Sequence, residues 1–138
     1  MWVSAEPTEE DPLASQLDPD YAAGKQAIEA RQWSTAVRRL SSAALRDTRN
    51  ADIQNYLGYA HRQLGEMDAA FKHYELALRL NPRHRGAHEY VGEAYLKMGN
   101  PGKALMHLAA LQKICLVPCE EMVDLQKAIA DYETKNNR

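Results

Sequence analysis

Gly24, Gly58 and Gly92 stand 34 residues apart, and Ala36, Ala70 and Ala104 repeat the same interval. A fixed period of this length marks stacked copies of one supersecondary unit, each burying its apolar face on the next, and not a single core wound once. Three copies fit into residues 17–50, 51–84 and 85–118. They leave an acidic leader at residues 1–16 and a tail at 119–138.

The elements inside one period read as helices. Asp18 is suited to cap a helix and Pro19 to open it, since proline at the first helical position gives up no bonded N–H. This predicts a helix from about Asp18 to Arg31, a turn at Trp33, and a second helix capped by Ser34. Ala36, Val37, Leu40, Ala43 and Ala44 recur along that second helix at three- and four-residue steps. In the middle copy, one helix carries Ile53, Tyr56, Leu57, Ala60 and Leu64 and stops at Gly65. The next carries Ala70, Tyr74, Ala77 and Leu78 and stops at Asn81-Pro82. The third copy breaks at Gly99, turns through Asn100-Pro101-Gly102, and buries Ala104, Leu105, Leu108 and Leu111 before ending between Cys115 and Pro118. A seventh helix follows. Its apolar residues Met122, Leu125, Ile129 and Tyr132 share one narrow face, and Asp124, Lys127, Asp131 and Lys135 share the other, as the last element of a stack requires.

These residues resemble the tetratricopeptide repeat family, whose motif sets a large residue, Leu, Gly and Tyr on the first helix and Ala, an aromatic, Ala and Pro on the second. The middle copy supplies Leu57, Gly58, Ala70, Tyr74, Ala77 and Pro82, with Gln54 where Trp is usual and His61 where Tyr is usual. The third supplies Val91, Gly92, Tyr95, Gly99 and Ala104, with Leu108 and Leu111 in place of the aromatic and the second Ala. The first keeps Gly24, Ala36, Leu40 and Ala43 and lacks the final Pro. The resemblance implies an all-α, right-handed superhelix of three helical hairpins plus a capping helix. It also implies a non-catalytic scaffold that holds a partner peptide or helix in a concave groove lined by the first helix of each pair.

Carried over by position, that groove is lined by Tyr21, Lys25 and Ile28 in the first repeat. Asp52, Asn55, Tyr59 and Arg62 follow in the second, and Glu89, Glu93 and Leu96 in the third. The Lys and Asn set with which some family members clamp a terminal carboxylate is not reproduced. Tyr21 and Tyr59 offer stiff contact area with a polar tip. Glu89 and Glu93, one turn apart, repel unless a cation lies between them, so a Lys or Arg of a partner is the expected occupant.

Cys115 and Cys119, the two cysteines of the chain, flank a helix junction and are placed for a local disulfide. The alternatives are two buried thiols or a soft metal site with Met122 or His107. His84 and His88 lie four apart without a third ligand in reach, and His73 and His107 share one repeat position on an outer helix face. All four read as surface histidines. No phosphate loop or nucleophile elbow appears, so neither catalytic residues nor a cofactor is expected.

Composition points to a compact soluble domain. Of the 138 residues, 45% are hydrophobic, and no apolar run approaches the roughly 20 residues of a bilayer-spanning helix. Residues 1–20 hold six acids and no Lys or Arg, leaving seventeen cations against thirteen acids elsewhere. The cations are spread over helix surfaces without the interleaved aromatics that single-stranded nucleic acid needs, so nucleic acid is not an expected partner. Val3-Ser4-Ala5 has the small-residue spacing of a secretory cleavage site and, with the cysteine pair, suggests a bacterial periplasmic protein. Two rival readings remain at this level, a periplasmic metal or thiol protein working through Cys115 and Cys119, and a scaffold that assembles as a homo-oligomer.

Overall fold

The computed structural model describes residues 18–137; the leader at residues 1–16 and its Val3-Ser4-Ala5 sequence lie outside them. Among the described residues there are seven helices and no strand. They are α1 (Pro19–Glu29), α2 (Trp33–Arg46), α3 (Ala51–Gln63), α4 (Met67–Leu80), α5 (Arg85–Lys97), α6 (Pro101–Ile114) and α7 (Glu120–Asn136). Two compact units divide the chain, one ending at Pro82 and the other beginning at Arg83.

The helix ends follow local chemistry. Asp18 caps α1 by accepting from the N–H of Asp20 at 2.9 Å, and Asn50 and Asn100 cap α3 and α6 through bonds from Ile53 and Lys103 at 3.1 and 3.2 Å. His84 caps α5, its Nδ1 accepting from the N–H of Ala87 at 3.0 Å. The first helices of the second and third hairpins give way to glycines in the left-handed region, Gly65 at φ +80° and Gly99 at φ +78°. Arg31 stands one period before Gly65 and adopts φ +59°, a conformation that costs a residue with a Cβ about 1–2 kcal/mol. The expected cap at Ser34 is not made. Trp33 packs against the core of the first unit and α2 begins there, with Gln32 in the capping place and no side-chain bond.

In the first unit, Ala36, Leu40, Ala43, Ile53, Leu57 and Ala60 are buried in one cluster that joins α1, α2 and α3. The glycines act as notches. A Cβ on Gly24 would lie 2.5 Å from Leu40 Cγ, and one on Gly58 would lie 2.6 Å from the ring of Tyr74, which is fully buried. Each glycine thus seats the side chain that stands 16 residues later on the second helix of its own hairpin.

The second unit departs from that rule. A Cβ on Gly92 would meet Leu125 of α7 at 2.9 Å, so the notch in α5 is filled by the last helix and not by Leu108 of α6. Leu111 occupies the place of Ala43 and Ala77, and joins Met122, Leu125 and Ile129 in the buried cluster of this unit. The larger Leu111 supplies apolar surface to α7, and the polar face of α7 remains exposed, as its sequence predicts.

Cys115 follows α6 and Cys119 precedes α7, and their sulfurs are bonded across a Cα separation of 6.0 Å. Two sulfurs joined to each other are not available as thiolates. Moreover, no group of three or more His, Cys, Asp or Glu able to hold a metal occurs among the described residues. Closing a loop of about five residues restricts the unfolded chain modestly, by about 2 kcal/mol. Cys115→Ser with Cys119→Ser is therefore expected to lower stability by about that amount and to leave exchange protection in α1 to α4 intact. Parallel urea denaturation and hydrogen exchange check both.

Candidate partner-binding face

The lining positions of α1 and α3 form a run of aromatic and cationic side chains within the first unit. Tyr21 is buried in the core cluster, its ring 6.4 Å from that of Tyr56, with Lys25 Nζ 5.4 Å above it. Tyr59 is half-buried: the Trp33 ring meets it edge-on at 5.7 Å and the Arg62 guanidinium covers it at 4.9 Å. The consequence is that Tyr21 and Arg62, expected at the surface, spend most of their area on their own unit. Lys25, Tyr59 and Asp52 retain accessible surface.

Asn55, between Asp52 and Tyr59 in this row, is 5% exposed, and its side-chain oxygen has no hydrogen-bond donor among the described residues. A buried amide oxygen left unsatisfied costs about 1–3 kcal/mol, so this atom calls for a donor from a water, an ion or a bound segment.

The second unit presents acids. Glu89 of α5 is 8% exposed and its carboxyl group is pushed up to about 9, first by burial, then by the hydrogen bond and charge of Glu93, and further by Asp124 and Glu121 of α7. Glu89 is therefore a neutral acid at pH 7, bonded to its neighbour. The repulsion expected from the spacing of Glu89 and Glu93 is relieved by a proton. Because the folded chain holds this proton and the unfolded chain releases it above about 4.5, stability is expected to fall as pH rises from 4.5 towards 9. Glu89→Gln keeps the shape and a donor but no longer titrates. It should flatten that slope, with a difference from the parent of roughly 1–3 kcal/mol between pH 6 and pH 8 in denaturation experiments.

The histidines are not the surface residues expected. His73 is half-buried, hydrogen-bonded through Nδ1 to Gln54 at 2.7 Å and stacked on His61 at 5.2 Å. His88 is 8% exposed and meets His107, Nδ1 to Nδ1, at 3.0 Å. Both contacts join helices whose residues stand 19 apart, and Asp20 and Arg39 form the same pair in the first hairpin at 3.1 Å. The repeat period was the signal available in the sequence, since 20, 54 and 88 are spaced by it.

The family model for the tetratricopeptide repeat matches residues 21–84. Residues 21–84 thus match the tetratricopeptide repeat. Among solved structures, a variant of MamA is 24% identical with a TM-score of 0.65, over 75% of this chain and 74% of that one. The Sgt2 TPR domain from Aspergillus fumigatus is 18% identical with a TM-score of 0.75, over 98% and 89%. PcrH, solved in complex with the chaperone binding region of PopD, is 17% identical with a TM-score of 0.73, over 96% and 98%. At these identities the likeness concerns the fold, which is the expected all-α TPR class. No curated protein sequence matches the chain significantly.

Proposed function

We propose that this TPR protein is a non-catalytic interaction module, and that an extended or helical segment of a partner protein lies along the first helices of its hairpins. The observation that carries this reading is the orphaned oxygen of Asn55, placed in a lining row beside Tyr59. A backbone N–H of a bound segment supplies the donor that the protein itself does not, and the aromatic ring packs on the segment's apolar part. In this reading Tyr21, Lys25, Asp52, Asn55, Tyr59 and Arg62 are the binding residues of the first unit, and Glu89 with Glu93 those of the second, where a Lys or Arg is received. PcrH, with its bound PopD region, is a protein of the same fold that holds a partner segment. No helix among the described residues is long and apolar enough to cross a membrane.

Selection from a displayed random peptide library against the intact protein tests the reading. Selected peptides should be enriched in Lys or Arg. Asn55→Ala should weaken them about tenfold, the worth of one buried hydrogen bond, while leaving the free protein as stable or slightly more so. Glu93→Lys should weaken them further and reverse their salt dependence; Glu75→Lys, on the exposed side of α4, should not. Binders indifferent to both Asn55 and Glu93 would place the binding face elsewhere.

The bonded cysteines favour a second element of the proposal, that the protein works in an oxidising compartment such as the bacterial periplasm. Thiol trapping of the protein in its native host checks it: a blocked pair under non-reducing conditions supports export, and two free thiols would count against it.

A further inference from the structure

One pair of positions, 19 residues apart, ties the two helices of each hairpin together by a polar contact, and the three copies use different chemistry. The first is an ion pair, Arg39 on Asp20 at 3.1 Å; the second sets His73 against the Gln54 amide at 2.7 Å; the third sets His107 against His88, Nδ1 to Nδ1, at 3.0 Å. Their responses to acid differ. Arg39 keeps its charge at any ordinary pH, and a carboxylate in contact with two guanidinium groups resists protonation; Asp20 is held below its usual range by Arg46 and Arg39. Burial, then His61, hold the His73 imidazole below its usual range, but a protonated His73 can still donate to the amide oxygen of Gln54. Two imidazoles whose Nδ1 atoms face each other have no such freedom. One must donate and the other accept, which a neutral pair allows, as does one imidazolium beside a neutral ring that carries its proton on Nε2; two imidazoliums place two N–H groups and two positive charges head to head.

We propose that the His88–His107 pair is an acid-sensitive latch: with at most one ring charged it closes the α5/α6 hairpin, and with both rings charged it opens this hairpin while α1/α2 and α3/α4 stay closed. The surroundings oppose the doubly charged form. His107 is half-buried, and its ring stacks on Tyr95 of α5 at 5.8 Å. The Lys103 ammonium of α6 lies over that tyrosine at 5.3 Å and opposes a further positive charge nearby. Burial, then His88, then Lys103 hold the His107 imidazole down to about 4, so the second proton enters only under distinct acidity. From α7, the acids Glu121 and Asp124 act on Glu89 and do not figure among the influences on His107. The folded His107 binds fewer protons than the unfolded side chain between about 4 and 6.5. Its contribution is therefore present above 6.5 and is lost as pH falls through 4.

The second hairpin supplies the control, since His88→Gln installs at position 88 the residue that serves at position 54. Hydrogen exchange of the intact chain, corrected for intrinsic rates, is compared at pH 6.5 and pH 4. In the parent, amides of α5 and α6 are expected to exchange at least about tenfold faster at the lower pH, and those of α3 and α4, where His73 keeps its acceptor when protonated, to change several-fold less. His88→Gln should remove the difference between the hairpins. Glu89 titrates alike in parent and variant, so the comparison isolates the pair. If His88→Gln fails to fold, His88→Asp with His107→Arg copies the first hairpin and answers the same question. Equal acid lability in parent and variant, or loosening of α3/α4 in step with α5/α6, would overturn the proposal.

Discussion

Replacing Gly58 by leucine should destabilise the chain by about 3 kcal/mol and broaden its unfolding transition. The ring of Tyr74 occupies the space above Gly58, and even a methyl group there would stand 2.6 Å from two ring carbons. Tyr74 is fully buried against its neighbours, so the ring cannot swing aside without moving α4 from α3. Gly58→Ala should show part of the effect and Gly58→Leu all of it, read by urea denaturation followed by circular dichroism. Gly102 gives the contrast. It lies on the exposed side of α6, and a Cβ there meets nothing closer than 3.7 Å, so Gly102→Ala should be neutral or slightly stabilising. A Gly58→Leu chain that melts like its parent would mean that α3 and α4 are not joined at this notch.

Leu125→Ala ranks beside it, with an expected loss of about 2–5 kcal/mol. Leu125 is fully buried and fills the notch at Gly92, so truncation leaves a cavity between α5 and α7 where neither backbone can close in cheaply. Loss of α7 docking also uncovers Leu111 and Leu96, and the variant should bind hydrophobic dyes and associate at high concentration. Lys127→Ala, which removes only an exposed pair with Asp131 at 3.4 Å, should fall within about 0.5 kcal/mol of the parent. If Leu125→Ala behaved like Lys127→Ala, α7 would be an appendage and not the closing element of its unit.

The period and the punctuation carried the fold into the sequence because both are local. Gly65, Gly99, Asn50 and Asn100 act on the turn they stand in, and a 34-residue repeat of small residues has few other uses. What was not legible depends on two helices meeting. Nothing near Gly92 in sequence says that Leu125 will occupy its notch, since the choice between Leu108 and Leu125 is decided by how α6 and α7 both pack on α5. The histidines read as surface residues because each lies on the polar side of its own helix, and only the hairpin brings His88 to His107 and Gln54 to His73. At the candidate face, position alone placed Tyr21, Asn55 and Glu89 on the lining rows. Their burial came from packing that the pattern does not encode, as did the proton on Glu89, which owes part of its hold to two acids on α7 more than 30 residues away.

Leu116-Val117-Pro118 is the most exposed apolar stretch of the described chain, with Leu116 at 95% and Val117 at 74%. Exposed loop tips are where proteases cut first. Here the flanking residues are joined through Cys115 and Cys119, so a cut anywhere among the three leaves α7 covalently fastened to α6. The nicked protein would keep its buried cluster and run as one species until a reductant divides it. The bridge thus serves less to hold the fold up than to make its most vulnerable peptide bonds dispensable.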